Sequence, residues 1–271
     1  MTTPSRLWAL AATLLAGHAV SQTYPIFQAD GLTTPERFGE AVAVTGDLDR
    51  DRVADLAVGV RLGAGGGQVR VFDALTGAPL LAIPGTSGLV APSGLTVFEL
   101  GTRLTAQVHD GCTRLLAGAP ASGVIGTPTI PSVGTTLLAW LAPARLLDGG
   151  VANEEFGAAV ANVGDVDGDL FPDFLVGAPG AALDPNVVGR AVLLSGRSGG
   201  VLRVHAGDRR VHDRFGATLA GLGDIDGDRV PDYAIGDPAA FAGGTGAGQV
   251  RVFSGVNGAL VRTLDGASRD R

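Results

Sequence analysis

Apolar positions in this chain fall in short runs of 4 to 8 residues, some alternating with polar ones, and each run is bounded by Gly, Asn, Asp or Ser. Gln68-Val69-Arg70-Val71-Phe72 is typical. No segment sustains a 3.6-residue period, so the pattern predicts strands and a chain without substantial helix. The strand pattern also recurs as a block. FGAAVANVGDVDGDLFPDFLVGAP starts at Phe156-Gly157, FGATLAGLGDIDGDRVPDYAIGDP at Phe215-Gly216 and FGEAVAVTGDLDRDRVADLAVGV at Phe38-Gly39. Asp47 and Asp165 are 118 residues apart and Asp165 and Asp224 are 59 apart, so the first interval spans two periods. A fourth, degenerate unit fills it, from Leu100-Gly101 to Gly118-Ala119-Pro120.

Each unit continues with a Gly-rich loop, an apolar run, a tight turn and a second short run, as in GQVRVFDALTGAPLLAI from Gly67, GRAVLLSGRSGGVLRVH from Gly189 and GQVRVFSGVNGALVRTL from Gly248. Four strands per repeat of about 60 residues predict an all-β propeller of four four-stranded blades, either incomplete or part of a larger ring. A sandwich is disfavoured because its strands do not repeat as a block. The expected divisions are 1–21 as a leader, a leading strand in 22–37, and blades at 38–99, 100–155 (degenerate), 156–214 and 215–271. First strands rich in Ala, Val and Gly, such as Ala158-Ala159-Val160-Ala161, suit the crowded axis. Phe38, Phe156 and Phe215 are expected to fill equivalent gaps between blades.

Candidate chemistry lies in three nine-residue loops. Asp47, Asp49, Asp51 and Asp55 form the first, Asp165, Asp167, Asp169 and Asp173 the second, and Asp224, Asp226, Asp228 and Asp232 the third. Carboxylates at loop positions 1, 3, 5 and 9 can wrap a cation, with the carbonyl at position 7 (Val53, Phe171 or Val230) filling a further place. All-oxygen donors in that number favour calcium over zinc or magnesium, for up to three ions. Gly168 and Gly227 at position 4 ease a turn with positive φ. An EF-hand is excluded, because its twelfth position needs Glu and here holds Val176 or Ile235. Arg50 and Arg52 put positive charge beside the first loop, which is therefore expected to bind most weakly. The degenerate unit retains only Asp110, with Arg114 at its ninth position, and is expected to hold no ion.

Charge fits occupancy. The chain carries 20 basic residues, all arginine, and 27 acids, 12 of them in the loops. Clustered carboxylates repel one another and resist full ionisation. Without Arg6 the balance is 19 against 27, or −8, which three calcium ions would bring to −2. A net acidic chain argues against a nucleic-acid partner. The absence of lysine removes Schiff-base, P-loop and Ser-Lys chemistry. Residues 1–21, with Arg6, the apolar Leu7–Gly17 stretch and Ala19-Val20-Ser21, read as a secretory signal peptide, which places the mature chain outside the cell or on its surface. No membrane span is expected after it. The single cysteine, Cys112, cannot form an internal disulfide, so metal is the candidate staple.

The Phe-Gly start, the aspartate loop and the closing Gly-Ala-Pro at Gly118 and Gly177 resemble FG-GAP repeats, the blades of the integrin alpha-chain propeller. The resemblance covers nearly the whole chain after residue 21. It departs at Gly59-Val60-Arg61, at Gly236-Asp237-Pro238 and in the missing second metal loop. It implies calcium in the aspartate loops, opposite the ligand-binding face, serving structure and blade orientation, and a secreted or cell-surface recognition or adhesion role with a protein or glycan ligand. Integrin propellers have seven blades and this chain supplies four. A truncated propeller, pairing with a second copy and a small ring with an extra strand (Tyr24–Asp30) all remain open, and an unclosed array invites self-association.

An extracellular hydrolase or lyase with its site in the propeller channel is the alternative function. Its strongest motif is Gly196-Arg197-Ser198-Gly199-Gly200, which fits G-x-S-x-G, but sister units place hairpin turns there, at Asp73–Gly77 and Ser254–Gly258. After residue 21 the only histidines are His109, His205 and His212. His205 and His212 are expected to be solvated. With no convergent catalytic set, the chain reads as a non-enzyme.

Overall fold

The structure is a computed structural model that describes residues 36–61, 67–84, 102–109, 112–119, 135–139, 145–148, 154–184, 187–207, 214–240 and 246–267. The leader, the Tyr24–Asp30 strand, Asp110, His212 and the loop from 120 to 134 lie outside these residues. So do the side chains of His109, Cys112 and Arg114.

The described residues contain strands and turns and no helix. They build four antiparallel sheets of four strands, each in simple up-and-down order. The first comprises β1 (Phe38–Val44), β2 (Leu56–Val60), β3 (Gln68–Phe72) and β4 (Pro79–Pro84). The second comprises β5 (Arg103–His109), β6 (Cys112–Ala119), β7 (Thr135–Ala139) and β8 (Arg145–Asp148). The third comprises β9 (Ala159–Gly164), β10 (Asp173–Asp184), β11 (Val187–Leu194) and β12 (Val201–Ala206). The fourth comprises β13 (Thr218–Gly223), β14 (Asp232–Asp237), β15 (Gln249–Phe253) and β16 (Leu260–Asp265).

The first strands stand side by side, β1 against β5, β5 against β9 and β9 against β13. Small residues there allow the approach. Among the described residues no comparable contact joins β13 to β1, so four propeller blades form an open array. Cores lie between consecutive sheets. Ala57, Val69 and Val71 pack with Leu115, Ala117 and Ala119 between the first and second. Leu116 meets Phe156, Phe174, Val176 and Val192 between the second and third. Val163, Leu175 and Leu193 meet Phe215, Tyr233, Ile235 and Phe253 between the third and fourth.

The two ends of the repeat motif meet across these boundaries. The Cα of Gly118 lies against the Gly157 carbonyl, and that of Gly177 against the Gly216 carbonyl, leaving no room for a Cβ. Glycine closes one blade because the Phe-Gly turn of the next sits on it. Phe156 and Phe215 fill the adjoining gaps and are buried.

Candidate metal centre

Each aspartate loop connects the first and second strands of its sheet, β1 to β2, β9 to β10 and β13 to β14. The loops are built by their own carboxylates. Asp165 Oδ1 accepts the N–H groups of Gly168 and Asp169, and its Oδ2 accepts that of Leu170 at 2.8 Å. Asp224 does the same with Gly227, Asp228 and Arg229. Asp47 accepts from Asp51 and Arg52. Asp49, Asp167 and Asp226 accept from the N–H of position 5. Asp51, Asp169 and Asp228 accept from the N–H of Val53, Phe171 and Val230.

This wrapping requires two left-handed residues per loop. Gly168 (φ 78°) and Gly227 (φ 87°) supply the first in the second and third loops, and Arg50 (φ 70°) stands there in the first. The second, at position 6, is never glycine: Arg52, Leu170 and Arg229 have φ of 76°, 70° and 73°. Their N–H groups are the ones held by the position 1 carboxylate.

Position 9 anchors the loop to the sheet. Asp55, Asp173 and Asp232 are buried, and one oxygen of each accepts the N–H of position 2, from Leu48, Val166 and Ile225. The other oxygen of Asp173 accepts from Gly196 at 2.9 Å and that of Asp232 from Gly255 at 2.9 Å, tying each loop to the outer hairpin of its blade. In the first loop this second bond is missing. Asp55 Oδ1, on a side chain 1% exposed, has no hydrogen-bond partner among the described residues.

Positions 1, 3 and 9 converge. One carboxylate oxygen from each of Asp47, Asp49 and Asp55 lies within 4.8 Å of the others, and the same holds for Asp165, Asp167 and Asp173 and for Asp224, Asp226 and Asp232. Oxygens sharing one calcium are at most about 5 Å apart, twice the Ca–O bond, so each triplet fits a single ion. Two members are more open than the buried third, which leaves a route from solvent. The fifth-position acids stand outside these triplets.

The electrostatics match an anion-crowded cup. Desolvation of the carboxylate in the crowded loop, and then the charges of Asp51, Asp55 and Asp73, push Asp49 above the usual carboxylate range. Asp167 and Asp226 are raised for the same reasons. Asp173 is pushed up to about 6, chiefly by burial, against the lowering pull of the Gly196 and Val166 N–H groups.

One acid near the cups went unread in the sequence. Asp73, at the start of the β3–β4 hairpin, groups with Asp49 and Asp51 within 4.8 Å. Its carboxylate also holds the hairpin, accepting from the N–H of Leu75 and the hydroxyl of Thr76. The sister hairpins carry Ser195 and Ser254 at this position, so the comparison between repeats contained the signal. Asp73 adds a negative charge beside the loop that also carries Arg50 and Arg52.

Gly196–Gly200 is the β11–β12 hairpin, with Ser198 Oγ accepting the Gly200 N–H. His205 differs from expectation. It lies half-buried against Tyr233 and Phe253 of the next sheet, because the outer strand β12 leans over that sheet.

Residues 38–72 match the family model for the FG-GAP repeat. Integrin alpha-6 of Gallus gallus is 35% identical over 98 residues, which is 35% of this chain and 8% of the relative. Integrin alpha-5 of Xenopus laevis is 29% identical over 214 residues, 73% of this chain and 20% of the relative. Integrin alpha-PS2 of Drosophila melanogaster is 36% identical over 113 residues, 38% of this chain and 8% of the relative. The chain thus spans a fifth or less of the length of these relatives. The solved Dos1 propeller overlays with a TM-score of 0.47 at 13% identity, covering 84% of this chain and 47% of that one.

Proposed function

We propose that this chain, which carries an FG-GAP repeat and resembles integrin alpha chains, is a secreted or cell-surface recognition or adhesion module whose blades are stiffened by calcium. Three carboxylate cups in one register carry the reading. Asp47, Asp49 and Asp55, then Asp165, Asp167 and Asp173, then Asp224, Asp226 and Asp232 hold one ion each. The carboxylates of Asp51, Asp169 and Asp228 and the carbonyls of Val53, Phe171 and Val230 complete the shells. The ion supplies positive charge that ends the repulsion among these acids and fixes each loop against its blade. The orphaned Asp55 Oδ1 supports the same reading, since a buried carboxylate oxygen without a donor asks for a cation.

The ligand is a protein or glycan, met by loops on the side opposite the metal loops. No catalytic step is assigned, and Ser198 serves a turn. Isothermal titration with calcium tests the metal reading. Three ions per chain are expected, falling by one with Asp167→Asn or Asp226→Asn, and heatless injections would contradict it.

A further inference from the structure

The second and third aspartate loops touch, and the residues that touch stand next to the carboxylates. Gly164 closes β9 and leads directly into Asp165. In the β9–β10 register it lies opposite Asp173, so it forms the neck of the second loop, between the first and ninth carboxylates. The neck is fixed by a left-handed backbone, φ 83°, and the Gly164 N–H donates to Asn162 Oδ1 at 2.9 Å. Against it stands the ring of Pro231, from the third loop. A Cβ on Gly164 would lie 2.8 Å from Pro231 Cγ and 3.1 Å from Pro231 Cβ, so only glycine admits the ring.

Pro231 is tied as closely to the third cup. It precedes Asp232, the buried ninth carboxylate. The Cα of Gly255 lies against the Pro231 carbonyl, and the Gly255 N–H donates to Asp232 Oδ1 at 2.9 Å, so loop, ring and outer hairpin pack as one unit. Two further contacts hold the second loop to the fourth sheet. The Asn162 carbonyl sits on Gly221 of β13, and Val166, whose N–H Asp173 accepts, packs against the core between the third and fourth sheets. The first cup adjoins a sheet with no aspartate loop, since β5 and β6 stay paired up to His109 and Cys112.

We propose that Pro231 is a positioning residue shared by two cups: through its contact with Gly164, the second and third cups each bind their ion more tightly when the other is filled, and the first binds alone. The coupling rests on the reading of the loops as calcium sites. In an empty cup, like charges push the three converging carboxylates apart. An ion in the third cup draws Asp232 inward and holds Pro231 on the Gly164 neck. The second cup is then spared part of the cost of bringing Asp165 and Asp173 together. Coupling between binding equilibria is reciprocal, so an ion in the second cup aids the third by the same factor.

Calcium titration calorimetry of the full chain tests this in variants that leave chosen cups intact. Asp49→Asn removes the first cup and leaves the second and third; adding Asp226→Asn or Asp167→Asn leaves the second or the third alone. The product of the two binding constants in the two-cup chain is expected to exceed the product of the single-cup constants about 5-fold or more. Asp167→Asn by itself leaves the first and third cups, which are expected to show no excess. Pro231→Ala installs the residue that the first loop carries at this position, Ala54, and is expected to abolish the excess between the second and third cups in its own background. Heat from both cups with equal products overturns the coupling and leaves the calcium reading standing, whereas heatless injections overturn both. An excess that survives Pro231→Ala, or that appears equally between the first and third cups, overturns the part given to Pro231.

Discussion

Tyr233 Oη lies 2.8 Å from His205 Nε2 across the boundary between the third and fourth sheets, and Arg203 Nη1 lies 3.0 Å from the same hydroxyl. A guanidinium only donates, so the hydroxyl accepts from Arg203, and its bond with His205 Nε2 runs in the direction the imidazole tautomer sets. Burial, and then the Arg203 charge, push the imidazole pKa down from 6.5 to about 4.

Because the folded value lies below the unfolded one, the contribution of His205 to stability is complete above about pH 6.5 and is lost as pH falls towards 4. His205→Phe keeps the packing on Phe253 and removes the titration. Urea midpoints at pH 7 and pH 4.5 check this: the drop is expected to be smaller in the variant. An equal drop would show that the acid sensitivity arises elsewhere. Tyr233→Phe, which takes the hydroxyl from His205 while Arg203 keeps the Gly255 and Val256 carbonyls, is expected to cost about 1–3 kcal/mol at pH 7.

The left-handed residues give substitutions of opposite sign. Leu170→Gly and Arg229→Gly relieve about 1–2 kcal/mol of steric strain, partly offset by the freedom glycine adds to the unfolded chain. Net stabilisation of up to about 1 kcal/mol is expected. Gly168→Ala introduces the same strain and is expected to destabilise by about 1 kcal/mol. Thermal melts in chelator measure both without metal.

Within one loop the aspartates separate by role. Asp232 is fully buried and holds the N–H groups of Ile225 and Gly255, so Asp232→Ala is expected to cost about 2–4 kcal/mol with or without calcium. Asp226 is exposed and crowded by its neighbours. Asp226→Asn is therefore expected to be neutral or stabilising in chelator and destabilising, relative to wild type, in calcium. Denaturant curves in the two buffers would show that inversion.

At the first loop, Asp73→Ser places the sister hairpin residue in the turn and removes one negative charge near Asp49 and Asp51. Calcium affinity there is expected to fall about 3- to 10-fold, since affinity follows ligand charge. Calorimetry of the variant should show the other two loops unchanged.

Strand number, repeat register and loop position were legible in the sequence because they are local: alternation, bounding turn residues and an interval of 59 residues. Spacing pointed to positions 1, 3, 5 and 9 round one cation, and of these the structure brings 1, 3 and 9 together. His205 was not legible, because its partner Tyr233 lies 28 residues away on another sheet and one-strand polarity says nothing of a leaning outer edge. Asp73 was read as a turn former, which it is, but its approach to Asp49 depends on how the β3–β4 hairpin folds against the loop. Strain at Leu170 and Arg229 was hidden because only glycine advertises a left-handed backbone, and here the position 1 carboxylate imposes it.

Melting the chain in chelator and in calcium bears most directly on the idea that the aspartate loops clasp ions that stiffen the blades. At tenfold saturation each site adds about 1.4 kcal/mol and three add roughly 4, which for a domain of this size is a rise in Tm on the order of 10 °C. A rise of that order, abolished by neutralising Asp49, Asp167 and Asp226 together, is the expected result. A Tm that calcium leaves unmoved would contradict it.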